Sequence, residues 1–150
     1  MDAATRIGPA TADDLPLIAE CVGRFRLDDE DLRAEQFLVA RRNGHVVAFG
    51  RIKPYPGGVY ELCNVGVLEP ERGRGLGAAI VHALISRFPT PDVWITTDLA
   101  SYFERFGFRA AHPPAPIAAK LAGVCARLRV GVIAMRLTRS AASFRPRSSP

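Results

Sequence analysis

Apolar residues recur along this chain in two rhythms. Phe37 to Ala40, Val46 to Ile52 and Val59 to Val67 are short runs rich in β-branched and aromatic residues, separated by Arg42-Asn43-Gly44 and by Pro54 to Gly58. Runs of that length bounded by turn formers predict strands, and Asn-Gly between two of them predicts a tight hairpin. The three strands are therefore expected to be antiparallel neighbours. Leu15, Ile18, Ala19, Val22 and Phe25 keep the spacing of a buried helical stripe, as do Leu76, Ala79, Ile80, Ala83, Leu84 and Phe88. Thr11-Ala12-Asp13-Asp14 offers the first helix an N-cap and acids for its opening turn, and Pro16 sits where a helix tolerates it.

The remaining segments follow the same logic. Thr5 to Ala10 predicts a short first strand, Asp92 to Thr96 another, Leu99 to Phe106 a helix and Phe108 to Ala111 a further strand. Pro113, Pro114 and Pro116 predict a break, Ile117 to Cys125 a helical turn or two, and Val130 to Leu137 the closing strand. Asp28 to Glu35 is acidic and reads as a short exposed helix or loop with a solvated face. An antiparallel first half followed by alternating strands and helices predicts an α/β fold with a mixed, mostly antiparallel sheet.

Composition narrows the class. At 150 residues, with 48% hydrophobic content and a mean hydropathy of +0.06, the chain predicts one globular domain over residues 1–138. Residues 139–150, rich in Arg, Ser and Pro, predict a disordered basic tail. No segment has the length of a signal peptide core or a membrane span, so a cytoplasmic protein without membrane contact is expected. Cys21, Cys63 and Cys125 are odd in number and widely spaced, which predicts buried thiols and no metal site. The net charge of +5 arises late, because no acid follows Glu104. Without interleaved stacking aromatics on a basic face, nucleic acid is not the expected partner.

The stretch from Val65 to Phe88 carries the chemistry. A β-branched run ends at Val67, Pro70 turns the chain, and Gly73, Gly75 and Gly77 lead directly into a helix. Alternate glycines let the backbone approach a ligand, and the first helical turn leaves N–H groups unpaired, which together make an anion cradle suited to phosphate.

The string Val67-x-x-Pro70-x-Arg72-Gly73-Arg74-Gly75-Leu76-Gly77 resembles the acetyl-CoA signature of the GNAT N-acetyltransferase family, and Phe103-Glu104-Arg105-Phe106-Gly107-Phe108 resembles that family's second mark. The resemblance spans roughly residues 4 to 138 in element order. It implies the GNAT fold, with about seven strands flanked by about four helices. It also implies acetyl-CoA as acetyl donor, with Arg72, Gly73, Arg74, Gly75, Leu76 and Gly77 at the pyrophosphate. The family's strand bulge, at the thioester and pantetheine, falls on Val65, Gly66 and Val67, and Gly66 suits an irregular backbone. The implied activity is an acyltransferase moving groups other than aminoacyl groups: acetyl passes to a primary amine, on a small molecule such as an amino acid or on a peptide, by direct attack in a ternary complex. A homodimer is an allowed assembly.

Two residues are singled out for proton transfer. Glu61 is the carboxylate on the strand before the cradle and is the candidate base, although the family's common position for it falls on Cys63. Tyr102 is the candidate acid, one place before Phe103, which fills the family's usual tyrosine position. Two other readings stand beside the enzyme. One is a catalytically silent acyl-CoA sensor or interaction module on the same fold. The other is a dinucleotide-binding module, because Gly73-x-Gly75-x-x-Ala78 meets the glycine pattern and Asp98 follows at the appropriate distance.

Overall fold

The computed structural model describes residues 4–140. Seven strands form one sheet in the order β1-β2-β3-β4-β5-β7-β6. They are β1 (Arg6–Pro9), β2 (Phe37–Arg42), β3 (His45–Tyr55), β4 (Val59–Val67), β5 (Asp92–Thr97), β6 (Arg109–Ala110) and β7 (Ile133–Thr138). Every neighbouring pair is antiparallel except β4 and β5. The expected hairpin joins β2 to β3, with Asn43 at φ 53° and Gly44 at φ 77°, the left-handed pair that a tight hairpin turn requires.

Helices cover both faces. Helix α1 (Leu15–Arg24) sets Ile18, Cys21 and Val22 against Phe37, Val39 and Phe49. Helix α2 (Leu76–Arg87) sets Ile80, Val81 and Leu84 against Ala48, Leu62 and Ile95 on the other face. The packing is close enough that Gly50 admits no side chain: a Cβ there would lie 2.6 Å from Ile80 and 2.7 Å from Leu84. Helix α3 (Ala100–Glu104) follows β5.

Three expectations are corrected by the structure. The helix placed at Ile117 to Cys125 is longer: α4 (Ala115–Lys120) continues through a π-helical turn (Leu121–Cys125) into α5 (Ala126–Leu128). Pro114 is its N-cap and Pro116 lies in its first turn, so two of the three prolines start the helix, where no intrahelical N–H is needed. Strand β3 runs past Ile52 through Pro54 to Tyr55. Its pairing with β2 ends at Arg51, so Pro54 stands where that edge is open. Asp28, expected on a solvated face, is only 6% exposed, and the segment that follows it is clamped by the fully buried Arg51. Arg51 donates to Gln36 Oε1 at 2.9 Å and to the Glu30 and Asp31 carbonyls at 2.9 and 3.2 Å.

At the end of the domain, Arg139 is anchored by its side chain to the carbonyls of Ile85, Phe88 and Thr90. The first residue assigned to the tail thus belongs to the folded body, and residues 141–150 lie outside the described residues. Among the described residues, no helix is long and apolar enough to cross a membrane.

Candidate active site

Strands β4 and β5 pair in parallel register at one position, Glu61 with Trp94, and then part. The gap between the diverging strands is a cleft of about 450 Å³. Its walls include Cys63 to Val67 from β4 and Ile95, Thr96 and Thr97 from β5, and it reaches Gly77 of α2 and Tyr102 of α3.

Of the glycine loop that runs into α2, Arg72 and Gly77 line this cleft and Gly73 and Gly75 do not. Gly73 and Gly75 take φ of 87° and 76°, and a Cβ at either position would meet nothing within 4 Å. They are needed for backbone conformation and leave open space. Gly75 is the N-cap of α2 and brings no capping side chain, so the first N–H groups of the helix, from Leu76 and Gly77 onward, have no partner in the helix. The Leu76 side chain itself is buried in the core, so its contribution to the site is its backbone. Arg72 lines the cleft, with Nε donating to the Val67 carbonyl at 3.1 Å and its guanidinium 4.9 Å from the Phe25 ring centre. Arg74 is an exposed residue of the loop and does not line the cleft.

The strand irregularity is real, but its centre differs from the expectation. Phe49 pairs with Gly66 and Arg51 with Cys63, so β4 carries one extra residue between these pairs. Asn64 absorbs it at φ 55°. Gly66 keeps an ordinary backbone and is required for room, since a Cβ there would lie 2.4 Å from the Phe49 ring. Asparagine adopts the left-handed conformation more readily than most residues, which is the signal that sequence reading passed over.

Beneath the cleft lies a buried charged cluster. Glu61 is fully buried and does not line the cleft. Its carboxylate accepts from the Tyr55 hydroxyl at 2.7 Å, the Thr96 hydroxyl at 2.6 Å and Lys120 Nζ at 2.8 Å to both oxygens. Lys120 also reaches Asp28 at 2.9 Å, and Lys53 pairs with Asp28 at 2.7 Å. Asp28, Glu61 and Cys63 place ligand-type atoms within 4.8 Å of one another, and the Lys120 ammonium already bridges the two carboxylates.

The electrostatics follow from burial and pairing. Burial alone would raise the Asp28 carboxyl, but the Lys120 charge and the Lys53 hydrogen bond outweigh it and lower the pKa to about 2. Burial would lower the Lys120 ammonium, yet the groups around it, including Cys63, Glu61 and Asp28, hold it well above its ordinary value. Burial pushes the Cys63 thiol up to about 12, which makes it a poor nucleophile. Tyr55 is likewise raised, by burial and by the Glu61 charge, and stays a proton donor to that carboxylate.

Tyr102 and Phe103 both line the cleft. The Tyr102 hydroxyl lies 3.5 Å from where a Cβ on Gly77 would stand, at the start of α2. Its ring is held edge-on by Phe103 and Phe106, at centroid distances of 5.1 and 5.4 Å, and Arg105 covers it at 4.4 Å. Sequence reasoning did not single out Asn64, Lys120 or Arg129. Apart from Glu61, a lone lysine between Ile117 and Val124 was the trace of the buried cluster.

Fold and cleft define an α/β protein whose mixed sheet is parted at its one parallel pair, with a glycine-rich helix start at the opening. The sequence profile of the Acetyltransferase (GNAT) family matches residues 9–108, and the chain belongs to that family. No curated protein sequence matches the chain. Among solved structures, a Mycobacterium tuberculosis protein crystallised in complex with CoA and NLQ is similar at a TM-score of 0.72 and 22% identity, covering 90% of this chain and 99% of that one. N-acetylglutamate synthase from Neisseria gonorrhoeae, complexed with coenzyme A and N-acetyl-glutamate, is similar at 0.76 and 14% identity, and 93% of this chain covers 36% of that enzyme. A ribosomal-protein alanine N-acetyltransferase from Escherichia coli is similar at 0.63 and 19% identity, covering 91% and 95% of the two chains.

Proposed function

We propose that this protein transfers an acetyl group from acetyl-CoA to a primary amine by direct attack within a ternary complex. The observation that carries the reading is the parted β4–β5 pair with an uncapped, glycine-built helix start at its opening. The residues present fit the donor: Gly73 and Gly75 leave open space, and the unpaired N–H groups of α2 suit its pyrophosphate. Crystal structures of relatives with CoA support the same ligand here. What acetyl-CoA supplies is a thioester acetyl group whose carbonyl carbon takes the amine lone pair and whose sulfur leaves as thiolate.

The chain's own part is binding, orientation and proton handling. Backbone N–H groups of Gly73 to Gly77 and the Arg72 side chain hold the phosphates. The bulged segment from Asn64 to Val67 faces the reacting end, and Ile95 and Leu62 exclude water from it. Tyr102 is the phenol of the cleft and donates a proton to the departing thiolate, while the attacking nitrogen gives up its extra proton to solvent. Glu61, with both oxygens committed to Tyr55, Thr96 and Lys120, braces the strand pair and does not take that proton.

The test is acetyl-CoA binding and thiol release with an amine panel. Gly75→Glu is expected to weaken acetyl-CoA at least about tenfold through charge at the phosphate site, while Gly75→Ala, with the same backbone strain and no charge, loses less. Equal affinity for Gly75→Glu and the parent chain would place the donor elsewhere. Tight donor binding with no turnover on any amine would favour the sensor reading.

A further inference from the structure

Helix α1 delivers an aromatic ring to the wall of the cleft. Phe25 is its C-cap and lines the cleft together with Arg72. The helix closes with two hydrogen bonds, from the Arg26 N–H to the Gly23 carbonyl at 3.2 Å and from the Leu27 N–H to the Val22 carbonyl at 2.9 Å. This closure needs a left-handed residue after the cap, a place that glycine usually fills, and Arg26 takes it at φ 55°. The Arg26 side chain supplies the reason: its Nε donates to the Leu128 carbonyl at 2.8 Å and so ties the end of α1 to the end of α5. Phe25 is therefore carried by a backbone that is fixed on both sides of it.

Two guanidinium groups lie against the Phe25 ring, and their charges are met differently. Arg24, 5.1 Å from the ring centre, donates to both oxygens of Glu69 at 2.9 and 3.0 Å and to Glu20 at 2.9 Å. Arg72, 4.9 Å from the ring centre, donates from Nε to the Val67 carbonyl and, among the described residues, makes no ion pair. Its charge meets only a π face and a carbonyl, which leaves it for an anion in the cleft. The Phe49 ring lies parallel to Phe25 at 6.5 Å, and Phe49 in turn fills the space that the missing side chain of Gly66 leaves. A row of contacts thus joins β4 to the glycine loop through Gly66, Phe49, Phe25 and Arg72.

We propose that Phe25 is a positioning residue for the donor, its ring holding the Arg72 guanidinium ready for the phosphates of acetyl-CoA. The proposal rests on the donor site of the transferase reading. An unrestrained arginine side chain loses rotamer freedom when it closes on a phosphate, and that loss opposes binding. Contact with a fixed aromatic face removes part of the freedom before the donor arrives. The attraction is weak and comes from the ring face, so the guanidinium N–H groups stay available to phosphate oxygens. Phe25 needs no contact with the donor for this and acts through Arg72.

The experiment is a double-mutant cycle on the full chain, with CoA affinity measured by calorimetry and folding checked by urea denaturation. Phe25→Leu is expected to weaken CoA about fivefold and Arg72→Ala about tenfold, while adding Phe25→Leu to Arg72→Ala costs less than about twofold more. Phe25→Tyr keeps the ring and should bind CoA within about twofold of the parent chain. Phe25→Met repeats the cycle with a different aliphatic side chain, so that a folding defect in one variant does not decide the outcome. A residue that merely lines the cleft would give losses that multiply in the double variant. Multiplying losses, a Phe25→Tyr loss as large as that of Phe25→Leu, or parent affinity in both Phe25→Leu and Phe25→Met would overturn the proposal and leave the donor site standing. Parent affinity in Arg72→Ala would also overturn it, because Phe25 would then have no phosphate ligand to position. A parent chain that does not bind CoA removes the donor reading and this proposal with it.

Discussion

Lys120 shows how much one side chain can hold. It is 7% exposed and bridges Glu61, on β4, to Asp28, in the loop after α1. Replacing it with methionine fills the space but leaves two buried carboxylates short of positive charge. Lys120→Met is expected to lose about 3–5 kcal/mol in urea unfolding, and combining it with Glu61→Gln should recover part of that loss. Tyr102→Phe tests the other candidate directly: a fall in kcat of about 10²-fold at constant acetyl-CoA affinity is expected of a proton donor. A rise in acetyl-CoA Kd at constant kcat would instead tie the hydroxyl to the phosphates, since it stands beside Gly77. Glu61 was visible in the sequence as a carboxylate on the right strand. Its occupation was not, because the partners that saturate it lie as far as 59 positions away.

Among the elements, β4 and α2 make the site, and each is shaped by glycines with different jobs. Gly73 and Gly75 supply left-handed backbone, whereas Gly50 and Gly66 supply absence of bulk. Gly50→Ala should destabilise by about 1–3 kcal/mol, because the branched ends of Ile80 and Leu84 must both move to admit a methyl group. A denaturation midpoint equal to the parent's would show that α2 is less closely seated on β3. Local signals read these elements well where the rule is local. Asn43-Gly44 imposed its turn, and the apolar stripe placed α2. The π-helical turn at Leu121–Cys125 and the site of the bulge at Asn64 were missed because both depend on what packs opposite.

The molecule holds several of its acids in specific pairs, and this gives its stability a pH dependence. Against burial, the Lys120 charge and the Lys53 hydrogen bond hold the Asp28 carboxyl at about 2, below its ordinary value of 3.8. A depressed pKa contributes stability above the unfolded value that is lost as pH falls through the folded one. The free energy of unfolding should therefore drop between about pH 4 and pH 2, by about 2 kcal/mol from this group alone. Asp14, held low by its hydrogen bonds to Arg41, adds in the same direction. Asp28→Asn should flatten the acid limb; an unchanged limb would assign it to other carboxylates.

What the sequence by itself determined is the part written in short-range patterns. Hydrophobic period, turn residues and alternate glycines specified the order of strands and helices, the hairpin and the cradle, because each follows from backbone sterics within a few residues. Only the tertiary structure decided which polar groups meet. That Asp28, Lys53, Glu61 and Lys120 form one buried cluster follows from the loop after α1 and helix α4 packing together against β4. Those contacts join segments remote in the chain, where burial sets the cost of every unmet charge and no local pattern records it.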